Sequence, residues 1–429
     1  MSNGVLLIFI LLGFCMGIGV PIGVSLGVAT AVTMILTTNL KLLTIAQSCF
    51  GGLDSFPLMA IPFFILAGNL MKYGGISRRL LDFSESIVGS IRGGLGMVTI
   101  LSSMFFAAIS GSAPATVTAI GSITIPEMKK KGYDLGYSAA LTASAGTIGV
   151  IIPPSIPFVI YGVVSGASIG GLFMAGVIPG ILIGTALMSV NYFASRRCGY
   201  GGNKESFSIR KAISKFKDAV FALLCPVIIL GGIYGGVFTP TESAVVGIVY
   251  ALIVGTFIYK ELKLKDVYTA FKETVLINGS TTFMVGLSLA FASYLTMAQV
   301  PVTIANGILG LSDNPIVIFL MINALLLVIG CFIDNISSCV ILTPILLPIA
   351  VKMGMDPIQF GIVMTVNLAI GFITPPYGAN LFFASAVAHT SVEKISSKTI
   401  QFILVMLVIL FALTFIPGLS MWLPNLLMN

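Results

Sequence analysis

Charge, histidine and tryptophan are all scarce in this chain. Only 9% of its 429 residues are Asp, Glu, Lys or Arg, with a single histidine, His389, and a single tryptophan, Trp422. A lone histidine makes no metal site, and a place in a loop or at a helix end accounts for His389 equally well. Six cysteines occur singly, at Cys15, Cys49, Cys198, Cys225, Cys331 and Cys339, mostly within apolar runs. Without CxxC spacing or a Cys/His cluster, neither a disulfide framework nor zinc is implied. There is no nucleophile–base pair, no phosphate loop and no basic stripe interleaved with aromatics for nucleic acid. Asp82 and Glu85 share one exposed polar helix face and do not form an acid/base couple. The residues therefore describe no enzyme.

What the chain does have is apolar sequence. It is 57% hydrophobic, with a mean hydropathy of +1.08. That balance makes the bilayer its solvent. The apolar start, Val5 to Val20, lacks a basic leader and a clear small-residue cleavage site, so it reads as a retained first helix. Further runs predict spans near 4–24, 28–46, 57–73, 168–194, 218–236, 241–259, 276–295 and 399–425, each near the roughly 20 residues that a membrane requires. Trp422 suits an interfacial anchor.

One stretch is used twice. Residues 126–154, PEMKKKGYDLGYSAALTASAGTIGVIIPP, align without a gap at an offset of 222 on residues 348–376, PIAVKMGMDPIQFGIVMTVNLAIGFITPP. The identities include Pro126/Pro348, Gly132/Gly354, Asp134/Asp356, Gly149/Gly371 and Pro153-Pro154/Pro375-Pro376. Gly and Pro dictate backbone shape rather than greasiness, so shared composition alone does not produce this pattern. It reads as an ancient internal duplication.

Each copy carries a predicted hairpin followed by a broken span: 94–128 with 137–166, and 314–350 with 357–388. The first hairpin turns at Ser110-Gly111-Ser112-Ala113-Pro114, the second at Asp334-Asn335-Ile336-Ser337-Ser338. Half-helices meeting at such a tip make a re-entrant loop, tolerated where protein or a water-filled cavity satisfies the backbone. The alternative is an ordinary pair of tilted helices.

With segment 74–93 placed in the cytoplasm, 20 of the 22 Lys and Arg residues fall inside and only Lys41 and Lys352 outside, which satisfies the positive-inside rule. Five crossings then separate the two copies, so they are inverted. Residues 1–195 form the first repeat, 196–217 a cytoplasmic Gly-, Ser- and Lys-rich linker, and 218–429 the second repeat. Residues 76–90, with Ile76, Leu80, Phe83 and Ile87 at helical spacing, predict an amphipathic helix lying in the interface, and 262–274 looks similar. Thr239-Pro240-Thr241-Glu242 predicts a capping box opening a helix.

Inverted halves with hairpins and broken helices are the sequence pointer to a secondary transporter. A double proline removes two backbone donors and strands the carbonyls before it. Those carbonyls, with Ser and Thr hydroxyls, suit Na⁺, while the opposing helix N-termini suit a carboxylate. Site one for Na⁺ is Ser110, Gly111, Ser112, Gly146, Thr147 and Gly149. Site two is Asn335, Ser337, Ser338, Gly371 and Thr374. Substrate contacts are expected at Ser112, Ser155, Asp334 and Asn380, with Asp334 either neutralising Na⁺ or bonding a substrate hydroxyl. A channel would instead want a filter repeated around a symmetric pore.

The runs SGSAPATVTAIGSITIPEMKKKGYD, AGTIGVIIPPSIPFVIYG, GGVFTPTESAVVG and DPIQFGIVMTVNLAIGFITPPYGANLF resemble the large membrane subunit (DctM/SiaM-like) of tripartite ATP-independent periplasmic (TRAP) transporters, through nearly the whole chain. The resemblance implies an all-α polytopic membrane protein of the bacterial inner membrane. It implies an elevator-type fold, in which a transport domain of hairpins and broken helices moves against a scaffold. It also implies Na⁺-driven uptake of an organic acid, a soluble periplasmic binding protein that delivers the acid, and a small four-helix membrane subunit. Because the chain starts at its first helix, that subunit is expected as a separate polypeptide. The family's substrates include C4-dicarboxylates and sialic acids, and the hydroxyl-rich tips favour the polyhydroxylated N-acetylneuraminate. Duplication makes at least two Na⁺ ions the expectation. The alternative of related architecture is a stand-alone Na⁺/carboxylate symporter that needs no binding protein.

Overall fold

The apolar segments fold as helices in the computed structural model, which describes residues 3–38, 41–201, 207–310, 312–375 and 378–427. The first half comprises α1 (Asn3–Gly17), α2 (Ile22–Thr37), α3 (Leu43–Leu53), α4 (Ala60–Tyr73), α5 (Ile76–Val88), α6 (Gly94–Ser110), α7 (Ala113–Lys130), α8 (Leu135–Gly146), α9 (Ile156–Ser165) and α10 (Ile169–Cys198). The second comprises α11 (Ile209–Tyr234), α12 (Pro240–Ile253), α13 (Leu264–Met297), α14 (Val300–Leu309), α15 (Pro315–Gly330), α16 (Asn335–Lys352), α17 (Pro357–Gly371), α18 (Ala379–Ala388), α19 (Val392–Phe415) and α20 (Gly418–Leu427). A 3₁₀ turn at Phe56–Met59 leads into α4, another at Thr147–Val150 extends α8, and a π-turn at Val254–Ile258 extends α12.

Seven helical runs among the described residues are long and apolar enough to cross a membrane. Their outer faces invert the soluble pattern. Leu6, Ile10 and Phe14 of α1, Val245, Val249 and Ile253 of α12, and Ile400, Leu404 and Val408 of α19 are exposed at four-residue spacing. Apolar stripes face outward because lipid, not water, surrounds the protein. Hydroxyls and amides lie inside instead, including Ser110, Thr116, Ser155, Asn335, Ser337, Ser338 and Asn380.

The duplicated stretch behaves alike in both copies. The offset of 222 carries Ala113–Lys130 (α7) onto Asn335–Lys352 (α16) residue for residue. Ser112 and Asp334, paired by that offset, are both N-caps, accepting from Ala115 N and Ser337 N at 3.5 and 3.0 Å. Asp134 and Asp356 likewise cap α8 and α17 through Tyr137 N and Ile358 N, at 2.8 and 2.7 Å. Gly132 and Gly354 end the preceding helices at φ +80° and +88°, where a side chain would be strained. The punctuation in the repeat is thus the sequence of its caps and turns.

In space the halves interleave. α9, which follows the first break, packs on α16 of the second hairpin; α18, which follows the second break, packs on α7 and α8 of the first half. Around α4, a second set of contacts joins α12 and α13 to α4 and α2 and α3 to α13, with α1 on α2 and α11 on α12 and α5. A group of hairpins and broken helices therefore lies beside a group of continuous helices.

Several expected boundaries move. Spans at 4–24 and 28–46 are replaced by α1, α2 and α3, because Gly19 at φ +84° and Pro21 end the first helix early. Residues 262–274 are no separate interfacial helix: from Leu264 they continue into α13, a single 34-residue helix. The last span, 399–425, is cut at Ile416-Pro417 into α19 and α20. α14 was not expected at all. The 76–90 helix is present as α5, with Ile76, Leu80 and Leu81 buried in its packing on α6 and α11.

Candidate functional site

The first tip is a closed knot of hydrogen bonds. Ser110 Oγ lies 3.1 Å from Thr116 Oγ1, whose hydroxyl donates to the Ser112 carbonyl at 2.8 Å. Gly111 holds φ +61°, and a Cβ there would stand 2.7 Å from the Pro154 carbonyl oxygen. The Ile156 amide donates to the Gly111 carbonyl at 3.3 Å, stitching the tip to the far side of the first break. On the near side, a Cβ on Gly149 would lie 2.5 Å from Thr116 Oγ1 and 2.6 Å from the Ser112 carbonyl oxygen. Only glycine allows the 3₁₀ turn to approach the tip so closely. Ser110, Gly111, Ser112 and Gly149 are thereby brought together, as expected. Thr116, one helical turn beyond Ser112, belongs with them; its four-residue spacing was the available signal.

Two members of the expected first site point elsewhere. The Thr147 hydroxyl donates to the Ser144 carbonyl at 2.6 Å and rests 3.8 Å from Met406 Sδ of α19. Gly146 faces Val117 and the amide nitrogen of Asn380.

The second tip is open where the first is closed. Asp334 caps α16 through the Ser337 amide, yet among the described residues its Oδ1 has no hydrogen-bond partner. The same holds for both amide atoms of Asn335 and for the hydroxyls of Ser337 and Ser338, all three residues being buried. Five such atoms within five residues are far above the rate at which folded proteins leave polar groups unsatisfied. Behind this tip α15 and α17 cross backbone to backbone, since a Cβ on Gly371 would lie 2.4 Å from the Gly330 carbonyl group. Thr374 donates its hydroxyl to the Ile370 carbonyl at 2.8 Å. Of the second double proline, Pro376 lies outside the described residues.

Both tips border one cavity of about 450 Å³. Ser110, Gly111, Ser112, Asp334 and Asn335 line one wall. The helix N-termini of α7 and α16 open onto it with their positive dipole ends, the Ala115 and Ser337 amides being held by the caps. The opposite wall comes from α4 and α13 and includes Asn69, Lys72, Glu273 and Thr281. These four were not singled out from the sequence, where they are isolated polar residues in or beside apolar runs. Of the expected substrate contacts, Ser112 and Asp334 line the cavity. Ser155 and Asn380 stand one residue behind Ile156 and Ala379, which do. Ser155 donates to the Val150 carbonyl at 2.6 Å, and Asn380 Nδ2 donates to the Ala143 carbonyl at 3.0 Å, tying the second break to α8, while Asn380 Oδ1 is buried with no hydrogen-bond partner among the described residues.

A carboxylate among hydroxyls and amides without partners is a donor set for a hard cation. Helix N-termini across the same cavity recognise an anion. Among the described residues no group of three His, Cys, Asp or Glu residues could hold a metal ion.

Comparison with known proteins gives the chain a family. Residues 8–419 match the family model described as tripartite ATP-independent periplasmic transporter, DctM component. The chain is 48% identical over 390 residues to the isethionate TRAP transporter permease protein DctMQ of Oleidesulfovibrio alaskensis, covering 91% of this chain and 61% of that longer protein. It is 41% identical to the C4-dicarboxylate TRAP transporter large permease protein DctM of Pseudomonas aeruginosa and 39% identical to the sialic acid TRAP transporter large permease protein SiaM of Vibrio cholerae, with 92% of each chain covered in both pairings. The crystal structure of the Alcanivorax borkumensis YdaH transporter shares the fold, with a TM-score of 0.63 at 14% identity over 89% of this chain and 88% of that one. A cavity between two capped tips in an all-helical membrane fold, and a family match over nearly the whole length, lead to one assignment: the chain belongs to the tripartite ATP-independent periplasmic transporters as a DctM component, a multi-pass permease of the bacterial inner membrane and not an enzyme.

Proposed function

We propose that this permease takes up an organic acid in symport with Na⁺. The observation that carries the reading is the second tip, where Asp334, Asn335, Ser337 and Ser338 hold five buried atoms with no hydrogen-bond partner among the described residues, in or just behind the wall of the cavity that both tips share. Na⁺ bound there supplies a partner to the four oxygens among these atoms and neutralises Asp334, whereas Asn335 Nδ2 is a donor. At the first tip the Ser110, Ser112 and Thr116 oxygens, beside Gly149, offer a second and tighter cation site. The acid group of the substrate sits against the N-termini of α7 and α16.

Charge bears on the choice of acid. Among the charged residues lining the cavity, Lys72 balances one of the two carboxylates, Glu273 and Asp334, and Na⁺ balances the other. A monoanion then suits the site better than a dianion. The relatives' names offer isethionate and sialic acid as monoanions and C4-dicarboxylates as dianions; isethionate and N-acetylneuraminate lead on this argument. The hairpins and broken helices, α6–α9 and α15–α18, form the moving transport domain. The continuous helices around α4, α12 and α13 form the scaffold, with the two repeats inverted. With the basic loops cytoplasmic, a cavity running from the tips to Lys72 at the end of α4 is open to the cytoplasm. A small membrane subunit and a periplasmic binding protein complete the system.

The test is uptake of labelled isethionate, N-acetylneuraminate and succinate into proteoliposomes holding this chain and its small subunit. The Na⁺ gradient and the binding protein are each supplied or withheld. Uptake that needs both supports the reading. Uptake driven by Na⁺ alone favours a stand-alone symporter, and uptake indifferent to Na⁺ removes the cation sites.

A further inference from the structure

The transport reading uses the two tips but leaves the opposite wall of the cavity without a role. That wall contains an ion pair: Lys72 Nζ of α4 lies 3.6 Å from Glu273 Oε2 of α13. Both side chains are partly exposed, at 40% and 36%, and both line the cavity. Lys72 is the one basic residue among the described residues that line it. Glu273 is held from its other side, since Tyr73 donates its hydroxyl to Glu273 Oε1 at 2.5 Å. Lys72 Nζ also stands 4.9 Å from the centre of the Tyr73 ring. Beside them Asn69 Nδ2 donates to Thr274 Oγ1 at 3.0 Å, joining the same two helices.

A 3.6 Å contact between half-exposed groups is loose, and such pairs exchange partners at little cost. The carboxylate, anchored by Tyr73, stays in place while the longer and more flexible lysine swings. An incoming carboxylate or sulfonate competes with Glu273 for the same ammonium.

We propose that Lys72 and Glu273 act as an exchangeable ion pair on the exit path: Lys72 accepts the acid group of the substrate as it leaves the tips, and re-pairing with Glu273 expels it. This deepens the transport reading and rests on it. Lys72 is a substrate contact, whereas Glu273 acts through Lys72 and is a positioning residue.

The two partners then have opposite effects on affinity, which a brace between α4 and α13 does not produce. Isothermal titration of isethionate, N-acetylneuraminate and succinate into the purified chain with its small subunit, in Na⁺, gives the affinities. Lys72→Gln is expected to weaken binding of the transported acid about fivefold, and Glu273→Gln to strengthen it about fivefold while slowing uptake. Lys72→Arg keeps the cation and is expected to stay within twofold of the parent. If both glutamine variants shift affinity in the same direction, or neither shifts it while the parent binds and transports, the pair is a brace and the proposal is overturned. If the parent neither binds nor transports any of the three acids, the transport reading itself fails and this proposal falls with it.

Discussion

Replacing Asp334 by Asn separates charge from shape at the second tip. Asp334 is the N-cap of α16, accepting the Ser337 amide at 3.0 Å, and Asn caps a helix about as well as Asp. The helix is therefore expected to start where it does now, with stability changed by only a few tenths of a kcal/mol. What disappears is the carboxylate charge, shared by Oδ1, which has no hydrogen-bond partner among the described residues. Removing one member of a buried charge pair costs about 3 kcal/mol, or roughly two factors of ten in an equilibrium constant. The Na⁺ concentration for half-maximal uptake is thus expected to rise about 100-fold. Thermal unfolding in detergent without Na⁺ should barely move, while the stabilisation that Na⁺ gives the parent should vanish. Asp334→Ala loses the cap as well, about 1 kcal/mol, and is expected to unfold earlier even without Na⁺. An Asp334→Asn protein with the parent's Na⁺ dependence would refute the assignment of Asp334 to a cation.

Gly149→Ala places a Cβ 2.5 Å from Thr116 Oγ1 and 2.6 Å from the Ser112 carbonyl oxygen; such overpacking costs about 2 kcal/mol. Na⁺-dependent uptake is expected to weaken at least tenfold, whereas Gly279→Ala, with nothing within 4 Å, serves as a neutral control in the same assay. Asn191 of α10 accepts from Tyr137 Oη at 2.9 Å and donates to the Gly93 carbonyl at 3.1 Å. Asn191→Leu strands both partners, lowering stability by about 2–3 kcal/mol, readable as an earlier thermal transition. The Glu242 carboxylate accepts from the Thr239 amide and hydroxyl, both at 2.8 Å, and closes the capping box of α12. Thr239→Ala removes the reciprocal cap and is expected to unfold earlier than the parent, whereas Thr239→Ser keeps it and should melt with the parent.

Local grammar was legible along the chain. The repeat at 126–154 and 348–376 located caps, turns and breaks, because Gly, Pro, Ser and Asp act on the backbone within a few residues of themselves. Helix ends inside apolar runs were harder to read. Hydropathy does not distinguish 262–274, most of which is the start of α13, from an interfacial helix, and nothing local announced α14. The first tip was recognised but not its Thr116. Ser155 and Asn380 were assigned to substrate from their nearness to the breaks; the structure sets them one residue from the cavity lining, with Ser155 donating to Val150 and Asn380 Nδ2 to Ala143.

By itself the sequence determined the solvent, the helical class, the duplication and the two tips, since composition and backbone punctuation are properties of short segments. Only the tertiary structure decided how the halves interleave, with α9 on α16 and α18 on α7. It also decided that the tips share one cavity, that the first tip is knotted by its own hydrogen bonds while the second leaves buried atoms without partners among the described residues, and that Lys72 and Glu273, 201 positions apart in the numbering, meet in the wall of that cavity. These are contacts between side chains far apart in the chain, chosen by packing that no local pattern encodes.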